Sequence, residues 1–189
     1  HVWSFLPDGR DGVAFWYDKI HVRKGFRWVG AVHEVLQYEG GRAPSVLLGN
    51  LRLEHHPDPQ KSRAQYLPLL ELAVAEAPDN DRNMHYLGRE YLFHGQWEKA
   101  IETLKRHLAM PSAVWPEERC ASMRYIARCC MELGQENEEL RWLLRACGES
   151  PDTREPWMAL ARACYRREDW HGVLFAVRRA PALPPRHGR

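Results

Sequence analysis

From Lys61 to Pro185 the apolar and small residues recur in one frame of about 34 residues, laid over pairs of helices. Leu87, Gly88 and Tyr91 fit a first helix, and Ala100 with Leu104 fits the second. Met123, Ile126, Ala127 and Cys130, then Leu143 and Ala146, closed by Pro151, repeat the series. Trp157, Leu160, Ala161, Cys164, Val177, Ala180 and Pro185 repeat it again in register. Leu70, Ala73 and Pro78 place a lone second helix ahead of the first pair. The spacing predicts helices over roughly 60–77, 82–94, 97–109, 116–133, 136–148, 154–168 and 170–180. Pro78-Asp-Asn-Asp81 is a turn whose carboxylates are expected to cap a helix, and Pro151-Asp152 before Glu155-Pro156 repeats that logic.

This is the pattern of tetratricopeptide repeats, three full repeats after a leading half-repeat. Small residues at Gly88, Ala100, Ala127, Ala146, Ala161 and Ala180 let neighbouring helices approach. Tyr91, Leu104, Trp157 and Leu160 fill the space between them, and Trp97 and Trp170, matched in the frame, read as packing residues. A slightly longer linker, Met110-Pro-Ser-Ala-Val-Trp-Pro116, separates the first repeat from the second.

Residues 1–58 have a different texture. Val13–Arg23 is rich in aromatic and β-branched residues, Gly25–Gly30 brackets a short apolar strand, and Gly40-Gly41 breaks the chain. Leu51, Leu53 and His55 alternate with Arg52 and Glu54, as in a strand. Pro57-Asp-Pro59 marks a boundary. The expected organisation is a small β and loop segment over 1–58, the repeats over 59–181 and a basic, proline-rich tail over 182–189. The fold class expected is mostly α, a helical repeat array preceded by that β segment.

Composition narrows the function classes. The 189 residues are 44% hydrophobic and 28% charged, with a formal net charge of +2, too balanced to argue for nucleic acid. No apolar run is long enough for a membrane span. Five cysteines, all on predicted helices and none in C-x-x-C spacing, read as small core residues of a cytoplasmic chain rather than a zinc or disulfide framework. The chain begins at His1 rather than Met, so a fragment or a processed product is expected.

The sharpest local motif is Trp28-Val-Gly-Ala-Val-His33-Glu34, followed by Leu51-x-Leu53-x-His55. These segments resemble the end of the catalytic domain of family 2 glycosyltransferases that carry tetratricopeptide repeats. Lys19, Arg23, Trp28, Gly30, Val32, His33, Glu34 and His55 match, as do Pro78-Asp79, Tyr86-Leu-Gly-Arg-Glu90, Trp115-x-x-Glu-Arg119 and Arg154-Glu-Pro-Trp157. The likeness covers nearly the whole chain but only the last part of a GT-A catalytic domain. The nucleotide-sugar-binding part with its D-x-D motif lies outside it, and Asp79-Asn80-Asp81 sits where a helix cap is expected.

The resemblance implies a transferase moving a sugar from a nucleotide-sugar donor to an acceptor. Glu34 would deprotonate the acceptor hydroxyl, with His33 beside it as a second catalytic candidate. Arg23 or Lys24 would neutralise the departing diphosphate. His55, with His56 as its neighbour, would complete the shell of a divalent metal, Mn or Mg, in the intact enzyme. On the bland reading, the same His and Glu residues only hydrogen-bond local backbone. The alternative function is a non-catalytic protein-interaction module.

The repeats carry the other candidate. Arg89, Arg128 and Arg162 hold the same frame position in successive repeats, and Arg82, Arg124 and Arg166 lie within about a turn of them. First helices line the groove of such arrays, so these arginines form a ladder suited to an acidic protein or peptide ligand. The competing reading is that Glu90, Glu132 and Glu155 neutralise them as ordinary surface pairs.

Overall fold

The computed structural model describes residues 2–5, 11–14, 20–30, 32, 34–41 and 65–180. They belong to two compact units, one drawn from His1–Arg63 and the other from Ala64–Pro184.

The second unit is a helical array: α1 (Tyr66–Glu76), α2 (Asp81–Phe93), α3 (Trp97–Ala109), α4 (Pro116–Glu132), α5 (Glu136–Glu149), α6 (Arg154–Arg166) and α7 (Trp170–Arg179). These bounds follow the predicted ones to within two residues, except that α1 starts at Tyr66 rather than near residue 60; residues 60–64 lie outside the described set. Each helix packs on the next, and in addition α2 packs on α4 and α4 on α6. The second helices of successive repeats lie farther apart, with Lys105 of α3 reaching to 5.9 Å from the Trp142 ring centre of α5. One wall of the array is therefore built from α2, α4 and α6, in neighbour-to-neighbour packing typical of a solenoid.

The frame positions behave as expected. Gly88 is buried, and Ala100, Ala127, Ala146, Ala161 and Ala180 are all buried, as are Tyr91, Leu104, Trp157 and Leu160. Val177 and Trp170 differ: they are 40% and 55% exposed. In the first two repeats a following first helix covers the second helix, α4 on α3 and α6 on α5. No described helix follows α7 to cover Val177. Trp170 begins α7 and rests edge-on against Tyr165, with ring centroids 5.5 Å apart.

The linker has a structural outcome the frame did not specify. Its last residue begins α4, which has 17 residues against 13 in α2 and α6. Pro116 opens this extra turn, where its missing N–H costs nothing. Arg119 on the same turn stitches the linker down. Its Nη1 donates to the carbonyls of Leu108 (2.9 Å) and Ala113 (3.1 Å), and its Nε donates to Glu149 at 2.6 Å.

The turns inside each repeat follow one design. Gln96 N–H donates to the Tyr91 carbonyl, Gln135 N–H to Cys130, and Asp169 N–H to Cys164. Each turn needs one residue at positive φ: Gly95 at 70°, Gly134 at 69°, and Glu168 at 56°. Glycine adopts that conformation freely, whereas a side chain costs about 1–2 kcal/mol there. Glu168→Gly is expected to raise stability by about 1 kcal/mol, since glycine's greater unfolded-state freedom offsets part of the gain; a urea melt reads the shift.

The α2 cap corrects one expectation. The side chain of Asn80, not a carboxylate, accepts the Asn83 N–H at 3.0 Å, while Asp81 occupies the first turn, where its charge suits the helix dipole. Ahead of α6, Thr153 donates to the Ser150 carbonyl and makes no side-chain cap on the helix.

All five cysteines are buried and free. Burial pushes Cys120 up to about 11 and Cys129 and Cys147 up to about 12, so their thiols behave as small apolar core groups. No helix among the described residues is long and apolar enough to cross a membrane.

The first unit holds two antiparallel hairpins among its described residues: β1 (Val2–Phe5) with β2 (Asp11–Ala14), and β3 (Phe26–Val29) with β4 (Val35–Tyr38). β3 is the strand predicted between Gly25 and Gly30. β4 was not anticipated; its four residues, Val-Leu-Gln-Tyr, are too few to show a clear period. Phe26 pairs with Tyr38 in register, their rings 4.8 Å apart, and Arg27 donates to Gln37 across the strands. Of the predicted strand Val13–Arg23, Val13 and Ala14 fall in β2, residues 20–23 are irregular, and 15–19 lie outside the described residues. The predicted strand at Leu51–His56 lies outside the described residues.

Candidate functional site

The wall formed by α2, α4 and α6 carries the arginine ladder. Arg128 and Arg162 are exposed, and neither makes an ion pair or hydrogen bond among the described residues, so Glu132 and Glu155 do not neutralise them. Arg89 is more enclosed. Its guanidinium lies 4.5 Å from the Tyr86 ring centre and 5.7 Å from that of Phe93, and 3.7 Å from the buried Glu90 carboxylate. The two rings stand one turn either side of Arg89 and hold its side chain in place. Arg82 also faces Tyr86, at 5.1 Å. Arg124 is half-buried on α4. Arg166 is committed elsewhere: it pairs with Glu139 of α5, a buried carboxylate at a frame position filled by Ala100 in the first repeat. The arginines left at one shared frame position on α2, α4 and α6 are thus Arg89, Arg128 and Arg162. Exposed Phe93, Met158 and Tyr165 on α2 and α6 add apolar surface.

The hairpin residues separate. Glu34 is exposed in the connection just before β4, next to the buried Val32. Arg23 and Lys24 are exposed at the other end, ahead of β3. Four paired residues stand between the two ends, which at about 3.3 Å per residue puts them on the order of 15 Å apart. His33 and His55 lie outside the described residues.

A third set of residues was missed by reading the sequence. His85 of α2, His107 of α3, and Glu118 and Ser122 of α4 meet between the first and second repeats. His85 Nδ1 lies 2.7 Å from the Ser122 hydroxyl, which lies 3.0 Å from His107 Nδ1. A hydroxyl has one proton and two lone pairs, so Ser122 can accept from both rings or donate to one of them, according to the histidine tautomers. His107 Nε2 faces Glu118 Oε1 at 3.4 Å. His107 and Ser122 are fully buried and His85 nearly so. Burial pushes His85 down to about 4, against the opposing pull of Glu118; His107, Arg89 and Arg82 add to the lowering. Glu118 loses solvation on burial, yet the facing His107 side chain and the charges of His85, His107 and Arg82 hold its carboxyl below the usual range. The sequence did carry a signal: His107 stands where the frame puts Ala146 and Ala180, and Glu118 sits on the extra turn of α4.

No family model matches the chain, and no curated protein is significantly similar to it. Solved structures are similar in fold. MamA MSR-1 superposes with a TM-score of 0.51 at 21% identity, over 63% of this chain and 66% of that one. MamA AMB-1 gives 0.53 at 21%, over 64% and 69%, and a MamA RS-1 double mutant gives 0.54 at 13%, over 63% and 64%. The aligned part spans about two thirds of the MamA chains. MamA is a tetratricopeptide-repeat protein, and at these identities the likeness shows one thing: the chain carries a helical array of the tetratricopeptide kind.

Proposed function

We propose that the array is a protein-interaction module that holds an acidic peptide along the α2–α4–α6 wall. The observation that carries this reading is the equivalent placement of Arg89, Arg128 and Arg162, with the last two exposed and unpaired among the described residues. Packed helices lie about 8–10 Å apart, which sets the spacing of the rungs. A polyproline II peptide advances about 3.1 Å per residue with three residues per turn, so every third side chain points one way at about 9 Å intervals. The matched ligand is therefore an extended segment with an acidic residue at every third position, each gripped by a guanidinium fork.

A labelled peptide with three glutamates so spaced should bind saturably, and more weakly as salt is raised. Arg128→Glu, which reverses the middle rung, should weaken capture tenfold or more, about 1.4 kcal/mol. Equal binding by the variant, or by a peptide with the glutamates bunched together, would sink the reading.

A second reading rests on the hairpin, where Glu34 is exposed beside buried Val32. It makes this chain the acceptor-side end of a glycosyltransferase, with Glu34 as base and the nucleotide sugar and metal held largely by a preceding domain. Calorimetric titration with Mn²⁺ and uridine or guanosine diphosphate sugars checks it: saturable binding lost in a His55→Ala variant supports the reading, and absence of binding removes the donor site from this chain.

A further inference from the structure

We propose that His85, His107 and Glu118 form a binding site for a zinc-class divalent metal ion, which clamps the first repeat to the second. Each donor comes from a different helix, α2, α3 and α4. One ring nitrogen of each histidine and a carboxylate oxygen lie within 4.8 Å of one another. Tetrahedral zinc holds N and O ligands at about 2.0–2.2 Å, which places them roughly 3.4 Å apart, so a small inward closure seats three donors and leaves the fourth position to water. Two imidazoles and a carboxylate suit zinc or a similar late transition metal rather than calcium or magnesium.

Three features favour a ligand over a plain buried network. His107 Nε2 is fully buried and closes no hydrogen bond, although Glu118 faces it at 3.4 Å. A buried donor left this way is rare, and a bound cation would draw both groups inward. Ser122 contacts the Nδ1 atom of both histidines, the outer-shell position in which metal-bound imidazoles are commonly oriented by an acceptor. Glu118 stands on the extra turn of α4 that the longer linker builds, so the carboxylate arrives with the same residues that lock the two repeats together.

The test uses the full chain, stripped of metal and titrated with Co²⁺ and Zn²⁺. One Co²⁺ per chain, with the intense visible bands of four-coordination and displacement by Zn²⁺, is expected, together with a zinc-dependent rise in the thermal midpoint. Glu118→Gln keeps the shape but removes the anionic ligand; it should weaken Co²⁺ tenfold or more and abolish that rise. A His94→Ala, His171→Ala double variant, at two exposed histidines, should bind as the parent does. In the unaltered chain, the ring ¹⁵N resonances of His85 and His107 should shift on zinc addition, a readout that needs no variant to fold. Unmoved His85 and His107 resonances, Co²⁺ binding undiminished in Glu118→Gln, or binding lost in the His94/His171 variant would each overturn the proposal.

Discussion

Ile126→Ala is expected to lower the unfolding free energy by about 3–4 kcal/mol. Ile126 is fully buried in a core shared with Leu104, Met123, Leu143 and Leu160. It sits on α4, which packs on α2, α3, α5 and α6. A side chain there is enclosed by neighbours that other elements hold in place, so the cavity left by truncation collapses little. The cost is then the lost transfer energy plus most of the cavity term. The measurement is chemical denaturation, with the midpoint shifting at unchanged slope. A loss below about 1 kcal/mol would mean that the helices around α4 relax far more freely than the packing implies.

Gly88→Val should cost about 3 kcal/mol, by crowding rather than by vacancy. A Cβ at Gly88 would stand 2.5 Å from Leu104 Cγ and 2.6 Å from its Cδ2. Leu104 is fully buried and has no free direction in which to turn. Gly88→Ala meets the same contact but gains about 1 kcal/mol of helix propensity, so its loss should be clearly smaller. The decisive comparison is a double variant. Leu104→Ala makes room for the new side chain, so Gly88→Val with Leu104→Ala should be less destabilised than the sum of the single changes. Simple additivity would show that the close approach of α2 and α3 is not what glycine serves at this position.

Both sites were legible in the sequence because period alone marks them. Gly88, Ala127 and Ala161 share a frame position, and the helices around them followed within a residue or two. Periodicity reports which face of a helix is buried, and here that was enough for the array. It does not report what a polar residue will meet. His85 and Ser122 are far apart in the chain and become neighbours only through the packing of α2 on α4. The ladder was half legible: equal frame positions gave the common wall, but Arg166 turned to Glu139 because a carboxylate occupies a place that is small and apolar in the first repeat. In the hairpin, β4 escaped because its four residues are too short to establish alternation. Glu34 and the Arg23–Lys24 pair were assigned separate parts in sugar transfer through the resemblance, and β3 stands between them.

The contacts of α4 with helices on both sides also fix the order in which the array can come apart. In a solenoid each piece is held only by its neighbours, so loss of structure travels inward from the ends. At α7, the last described helix, Ala176 is the one fully enclosed residue of the helix, while Leu174, Phe175 and Val177 are exposed. α7 can therefore open and reclose while α4 stays closed. In such a chain Arg162 on α6 stands beside the breathing end and Arg128 at the quiet centre. A ligand that reaches all three rungs would close the loose end as it binds, and its grip would register as slower opening of a helix it never touches.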